Sequence, residues 1–262
     1  MRRKSFLQST ESKSSKPEPT SLEWRIFVPC HPFPELSSHV PSPEADRIFH
    51  DILSTITSLK PAAAFSETRT DTYIIAERYF GLKFREGEKL ELKTRLHRSD
   101  DLGIEEYRKV KYGKKDIKKY EDEIIQELNY CGYTHDAIHR VILQTQRSLD
   151  IKKSRVNVQL GNVYVEVANI EFVLPCEAPK HWLSLAIEAH SKVDINSFVA
   201  SNILIRRLLA SINTYIHIAR QNPAQPMTLP ILGGYPSFVF YVSAGCDREL
   251  ALDSFATLIG NR

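Results

Sequence analysis

Residues Glu67 to Lys109 read ETRTDTYIIAERYFGLKFREGEKLELKTRLHRSDDLGIEEYRK. Successive side chains of a strand face opposite sides, so a period of two is the pattern that matters here. On a strand from Ser66 to Ala76, the residues Glu67, Arg69, Asp71 and Tyr73 share one side. Over Leu82 to Glu86, Lys83 and Arg85 oppose Leu82 and Phe84; over Lys89 to Leu96, Glu91, Lys93 and Arg95 oppose Leu90, Leu92 and Leu96. A further strand, Ile104 to Tyr112, has two possible registers because Glu105 and Glu106 are adjacent. One presents Glu105, Tyr107 and Lys109, the other Glu106 and Arg108. Gly81, Gly87, the pair Asp100 and Asp101, and Gly103 give short turn chemistry between these strands. Parallel neighbours would need long crossovers, so the stretch reads as an antiparallel meander.

The same alternation extends outward in both directions. Leu22 to Val28 is a strand with Leu22, Trp24 and Ile26 opposing Glu23 and Arg25, stopped by Pro29, Pro32 and Pro34. Arg155 to Leu160, Asn162 to Val173 and Trp182 to His190 are three more, the first two joined by a turn at Gly161 and Asn162. Their polar faces carry Arg155, Asn157 and Gln159, then Tyr164 and Glu166, then Ser184, Glu188 and His190. Helices are predicted after the Ser42 cap, over Lys115 to Tyr130, after the Thr134 cap, and from the Asp194 cap to about Ala219. Ser237 to Val242 reads as a strand candidate and Arg248 to Ile259 as a last helix, while Gly233 and Gly234 read as a turn.

Composition narrows the class. The 262 residues carry 35 Lys and Arg against 32 Asp and Glu, a net charge of +3, and 42% hydrophobic residues, which excludes a wholly disordered or collagen-like chain. Four scattered cysteines, Cys30, Cys131, Cys176 and Cys246, form no C-x-x-C pair and signal neither a zinc site nor a disulfide framework. With no apolar run near the roughly 20 residues of a membrane span and no secretory leader, the expectation is a soluble cytoplasmic or nuclear protein. Residues 1–20, rich in Ser, Lys, Glu and Pro, read as a disordered tail with a short basic phosphoacceptor pattern at Arg2, Arg3 and Ser5; 21–262 read as a single domain. The basic stretch Lys109, Lys111, Lys114, Lys115, Lys118 and Lys119 is by default a solvated helix face, which gives nucleic acid little support as a partner.

Two arrangements produce these faces. An open antiparallel sheet with one wet side alternates in this way, its charges forming weak cross-strand pairs. Alternatively the strands close into a barrel whose lumen carries the charges and whose apolar outside is covered by helices. A lumen of Arg and Lys with a few carboxylates suits a polyphosphate, and grouped carboxylates suit Mg²⁺ or Mn²⁺.

Asp71 and Tyr73 as D-x-Y, Gly81 to Arg85 as G-L-K-x-R, Glu91 to Arg95 as E-L-K-x-R and Gly103 to Lys109 as G-x-E-x-Y-x-K resemble the CYTH superfamily, also called triphosphate tunnel metalloenzymes. The likeness extends to Glu23, to Tyr164 to Ala168 and to His181 to His190. It implies an α+β fold: an eight-stranded antiparallel β-barrel, or tunnel, with peripheral helices. The tunnel would bind triphosphate groups, which family members commonly hydrolyse with a divalent metal; some members act as adenylate cyclases. By position, Arg69, Lys83, Arg85, Lys93, Arg95, Lys109 and Arg155 are the implied phosphate-binding cations, and Glu23, Glu166 and Glu188 the implied carboxylates for Mg or Mn. The family's first strand usually reads E-x-E-x-K, whereas here Arg25 and Phe27 take the second Glu and the Lys positions. A cation at position 25 disfavours a dication beside it and favours an anion. Two expectations therefore stand: a Mg- or Mn-dependent triphosphatase acting on inorganic or organic triphosphates, and a catalytically weak or inactive module that binds a phosphorylated ligand or a partner. His190, two residues after Glu188 on the same face, reads by default as a structural histidine.

Overall fold

A computed structural model describes residues 20–30, 65–75, 77–99, 102–113, 117–134, 147–174, 180–221 and 229–255, with isolated positions elsewhere. The expected tail, the helix after Ser42, most of the helix after Thr134 and the end of the last helix lie outside the described residues.

Eight antiparallel strands form a closed ring. They are β1 (Ser21–Cys30), β2 (Phe65–Ile74), β3 (Phe80–Arg85), β4 (Lys89–Arg98), β5 (Glu105–Lys111), β6 (Ser148–Leu160), β7 (Val163–Phe172) and β8 (Lys180–Ala189). The order round the ring is β5-β4-β3-β2-β6-β7-β8-β1, and Leu22 paired with Glu106 brings β1 back to β5. That seam is short; beyond it β1 pairs instead with β9 (Ile231–Leu232). Closure removes the sheet edges and gives every strand an inside and an outside.

Except along β2 and the start of β6, the outward faces of the strands are apolar and covered. Trp24, Ile26, Val165, Val167, Leu185 and Ile187 pack under Ile195 and Val199 of α2 (Lys192–Ser201) and Ile205, Leu208, Ile212 and Ile216 of α3 (Ile203–Gln221). Leu82, Phe84, Leu90, Leu92 and Val110 pack under Ile124 and Leu128 of α1 (Glu121–Tyr130). The outward residues Thr68, Thr70 and Thr72 of β2 and Asp150, Lys152 and Ser154 of β6 are polar, and Thr72 donates to Asp150 at 2.6 Å.

Several elements differ from the sequence expectation. Strand β1 runs on through Pro29 to Cys30, and Ser191, not Asp194, caps α2. The single long helix is two, because Asn202 leaves the helical region at φ −84° and ψ 110° and its Oδ1 accepts from the backbone of Leu204 and Ile205. The resulting bend is 83°, and among the described residues no single helix is long and apolar enough to cross a membrane. Strand β6 starts at Ser148, seven residues before Arg155. Ser237 to Val242 is not a strand but part of α4 (Tyr235–Ser243), followed by α5 (Arg248–Ser254). An apolar run has no visible period when a helix is buried on nearly all sides, as α4 is, so strand and helix look alike in the sequence. Pro236 in its first turn was the available helix signal.

Candidate functional site

The lumen has two unlike halves. Toward the end where β2 stops and β3 starts, Phe27, Tyr73, Phe172 and Trp182 point inward and meet Tyr235, Phe238 and Tyr241 of α4. Phe27 and Phe238 stack at 4.2 Å between ring centroids, and the Trp182 ring meets Phe238 edge-on at 5.2 Å. This end of the barrel is plugged. Toward the other end lies a cavity of about 210 Å³ lined by Arg25, Arg69, Lys83, Arg85, Lys93, Lys109, Lys111, Lys153 and Arg155, by Glu23, Glu91, Glu166 and Glu188, and by Tyr73 and Tyr235 on its floor.

Arg25 sits at the centre, buried on all sides. Its Nε donates to Glu23 Oε1 at 2.8 Å, and its Nη1 to Glu166 Oε1 at 2.6 Å and Ser184 Oγ at 2.9 Å. Nη2 faces Glu188 Oε1 at 3.6 Å, and the guanidinium lies 4.7 Å from the Tyr235 ring centroid. Burial opposes the charge on Arg25, but Glu23 and Glu166 outweigh it and keep the group protonated well beyond its ordinary range. The far oxygens of the same acids are also taken. Lys93 Nζ donates to Glu23 Oε2 at 2.6 Å, Arg155 Nη1 to Glu166 Oε2 at 2.6 Å, and Lys109 Nζ stands 3.5 Å from Glu188 Oε2. Burial alone would raise the Glu166 pKa; Arg25 and Arg155 instead bring it down to about 2. Glu23, equally buried, is held well below the carboxylate range by Lys93 and Arg25.

A second knot lies on β2, β3 and β6. Lys153, 1% exposed, donates to Asp71 Oδ2 at 2.8 Å and to the Tyr73 hydroxyl at 2.5 Å, with its ammonium 3.7 Å from the Tyr235 ring centroid. Burial and the neighbouring Lys83 push its pKa well down, against the pull of Asp71. Lys83 bridges Asp71 at 3.4 Å and Glu91 at 3.1 Å, while Glu67 gathers Arg69, Arg85 and Arg155.

Nine of the ten residues named from the sequence line this cavity: Arg69, Lys83, Arg85, Lys93, Lys109, Arg155, Glu23, Glu166 and Glu188. Arg95 does not. It faces the same side as Lys93 but toward the plugged end, where it donates to Glu105 Oε1 at 2.6 Å and lies over the Tyr79 ring. Glu105, inward with Tyr107 and Lys109, also accepts from the Tyr107 hydroxyl and from Gly234 N at 2.7 Å, which fastens the seam between β1 and β5. Lys153, Asp71, Glu91 and Tyr235 belong to the site and were not singled out for it. Counting back by twos from Arg155 points to Lys153; the strand start hid it. His190 is exposed, just past the end of β8.

These residues do not fit a bound dication. Mg²⁺ and Mn²⁺ need free carboxylate lone pairs, yet every carboxylate oxygen of Glu23, Glu166 and Glu188 already faces a cationic side chain. No group of three or more His, Cys, Asp or Glu arranged for a metal occurs among the described residues. What the arrangement can do is exchange partners: an entering anion replaces carboxylate oxygens around Lys and Arg donors that are already held in place.

No family model and no curated protein matches the chain. Among solved structures, a conserved hypothetical protein from Pyrococcus furiosus is similar at 15% identity and TM-score 0.33, with 73% of this chain and 89% of that one covered. A chain of the Schizosaccharomyces pombe Mediator head module is similar at 11% and 0.33, covering 78% and 96%. The S. pombe RNA triphosphatase Pct1, solved with the Spt5 CTD, is similar at 10% and 0.35, covering 79% and 86%. At these values nothing about substrate or reaction transfers from them.

Proposed function

We propose that the lumen binds a triphosphate or polyphosphate anion, and that it does so without a divalent ion. The observation that carries this reading is the Arg25 guanidinium paired with Glu23, Glu166 and Glu188 inside a ring of eight further cations. Lys83, Arg85, Lys93, Lys109 and Arg155 are the phosphate contacts, Arg69 supports them from within, and Arg25 supplies centrally the charge that a metal would bring. The low dielectric of a buried site makes each such contact stronger than in water. Resemblance to the CYTH superfamily points to the same ligand class. Residues 21–262 act as one unit in this reading, since α4 from the far end of the sequence floors a lumen whose wall starts at β1. Of the two sequence expectations, binding without turnover has the support of this site, because the oxygens of Glu23, Glu166 and Glu188, the carboxylates implied for a metal, each face a cationic side chain.

The test is calorimetry and thermal denaturation with tripolyphosphate, ATP and thiamine triphosphate, in EDTA and in Mg²⁺ or Mn²⁺. The expected outcome is binding and a raised Tm in EDTA at no loss against Mg²⁺, no phosphate release in either, and clear weakening in Lys93→Ala. At a ligand concentration of about 100 times Kd, stabilisation should reach roughly 2.7 kcal/mol. Phosphate release that needs Mg²⁺ and disappears in Lys93→Ala would overturn the metal-free reading.

A further inference from the structure

We infer that Lys153 gives the barrel a second chemistry: its Nζ captures small 2-oxo acids as imines. This activity goes beyond polyphosphate binding and does not depend on it. Lys153 lies on the inward face of β6, opposite Arg69 of β2 and Ile170 of β7, and is 1% exposed at the floor of the cavity that it lines. Its Nζ donates to Asp71 Oδ2 at 2.8 Å and to the Tyr73 hydroxyl at 2.5 Å, with the Tyr73 and Tyr235 ring centroids at 4.7 and 3.7 Å. Asp71 also faces Lys83 at 3.4 Å and Arg69 at 3.2 Å, so one carboxylate answers three cations, of which Lys153 is the most buried. Burial and the adjacent Lys83 lower its pKa. A lysine desolvated in this way beside another cation is activated for attack on carbonyl groups. Tyr73 handles the protons: its oxygen accepts from Nζ, which leaves its own proton to donate, and burial and Asp71 hold the phenol protonated. The free amine adds its lone pair to the carbonyl carbon, and the carbonyl oxygen takes a proton from Tyr73 as the nitrogen gives one back. A second transfer along the same route lets the new hydroxyl leave as water while the C=N bond forms. One amine and one carbonyl thus yield one imine and one water, with no oxidant or reductant. Lys83 and Lys153 share Asp71 Oδ2, so the anionic group of the captured molecule must sit within a few bonds of its carbonyl. A carboxylate directly on the carbonyl carbon meets that need and takes the place of Asp71 at Lys83 and Arg69. The cavity, about 210 Å³, opens toward Lys83 and Arg85, whose side chains are 13% and 34% exposed, and admits compounds of this size.

The experiment is reductive trapping on the full chain. Glyoxylate with sodium cyanoborohydride at pH 7 converts an imine into a carboxymethyl-lysine, which peptide mass spectrometry locates. An ordinary lysine at that pH is free amine in roughly one part in a few thousand, and each unit of lowered pKa raises that share about tenfold. Lys153 should therefore be modified at least about tenfold faster than the exposed Lys89 and Lys152. Glycolaldehyde, which has an aldehyde but no carboxylate, should show no such preference. Tyr73→Phe should slow modification of Lys153 and leave that of Lys89 unchanged, while Lys153→Arg keeps a cation beside Asp71 and should keep the Tm but lose the fast modification. Modification confined to exposed lysines, or a Lys153 modified no faster than they are, would overturn the inference. An equal preference for Lys153 with glycolaldehyde would overturn the selection of 2-oxo acids. Both outcomes are read on the natural chain, so neither hangs on the folding of a variant.

Discussion

Arg25 faces Glu23, Glu166 and Glu188 at once, so removing its guanidinium strands three acids in a closed space. Arg25→Met is therefore expected to lower stability by roughly 3 to 5 kcal/mol, as breaking a buried ion pair from one side does; urea unfolding measures it. The same change frees carboxylate oxygens, so Mn²⁺ should raise the urea midpoint of Arg25→Met and leave that of the natural chain unmoved. No response to Mn²⁺ in the variant would mean that these carboxylates are not arranged around one point. Strand alternation was enough to place Arg25, Lys83, Lys93 and Arg155 on one face, because period two is a property of the backbone itself. It could not separate Arg95 from Lys93, since both share that face; which of them lines the cavity depends on where α4 plugs the barrel. Lys153 is hidden for another reason: alternation reaches it from Arg155 only if the strand continues upstream, where Leu149 and Ile151 on the same face read as apolar.

Strand α4 was expected to be, and helix it is, for a reason that belongs to the element: seven of its nine residues are buried, and a one-sided pattern needs a wet side. Its work is to stop the lumen, and the turn before it seals the short seam of the ring. Gly234 lies so close to Tyr107 that a Cβ there would stand 2.4 Å from the phenol oxygen, itself bonded to Glu105. Gly234→Ala must push Tyr107 aside and disturb the Glu105 contacts, and should cost about 1 to 3 kcal/mol as an overpacked site. Phe238→Ala opens a cavity among Phe27, Phe172 and Trp182 and should cost about 3 to 5 kcal/mol. Both are read from urea midpoints. Gly87→Ala serves as comparison: its φ of +71° is unfavourable to alanine, but open space surrounds it, so a smaller loss is expected. The strands of the meander and their turns were legible because each signal is local; closure came only through the resemblance to the CYTH superfamily and not from alternation, since β1 meets β5 across more than eighty residues through only three residue pairs.

At the scale of the whole molecule, a net charge of +3 is the remainder of many internal pairings, and those pairings set how the protein responds to acid. Burial would raise the pKa values of Glu23, Asp71, Glu91 and Glu166, yet their cationic neighbours hold all four below the ordinary values. A carboxylate with a depressed folded-state pKa contributes its full stabilisation above the unfolded-state value and loses it as pH falls toward the folded-state one. For Glu166 that window runs from 4.5 down to about 2. The urea midpoint should thus fall as pH drops below about 4.5, with each proton taken up adding roughly 1.4 kcal/mol per pH unit to the slope. Salt separates this from a surface effect. Exposed pairs are screened within about 3 Å at 1 M, whereas the pairs of Arg25 with Glu23 and Glu166 are almost fully buried, so 1 M NaCl should take away only a minor part of the stability at pH 7. A large loss in salt at neutral pH would place the stabilising pairs on the outside of the barrel and remove the basis for an internal anion site.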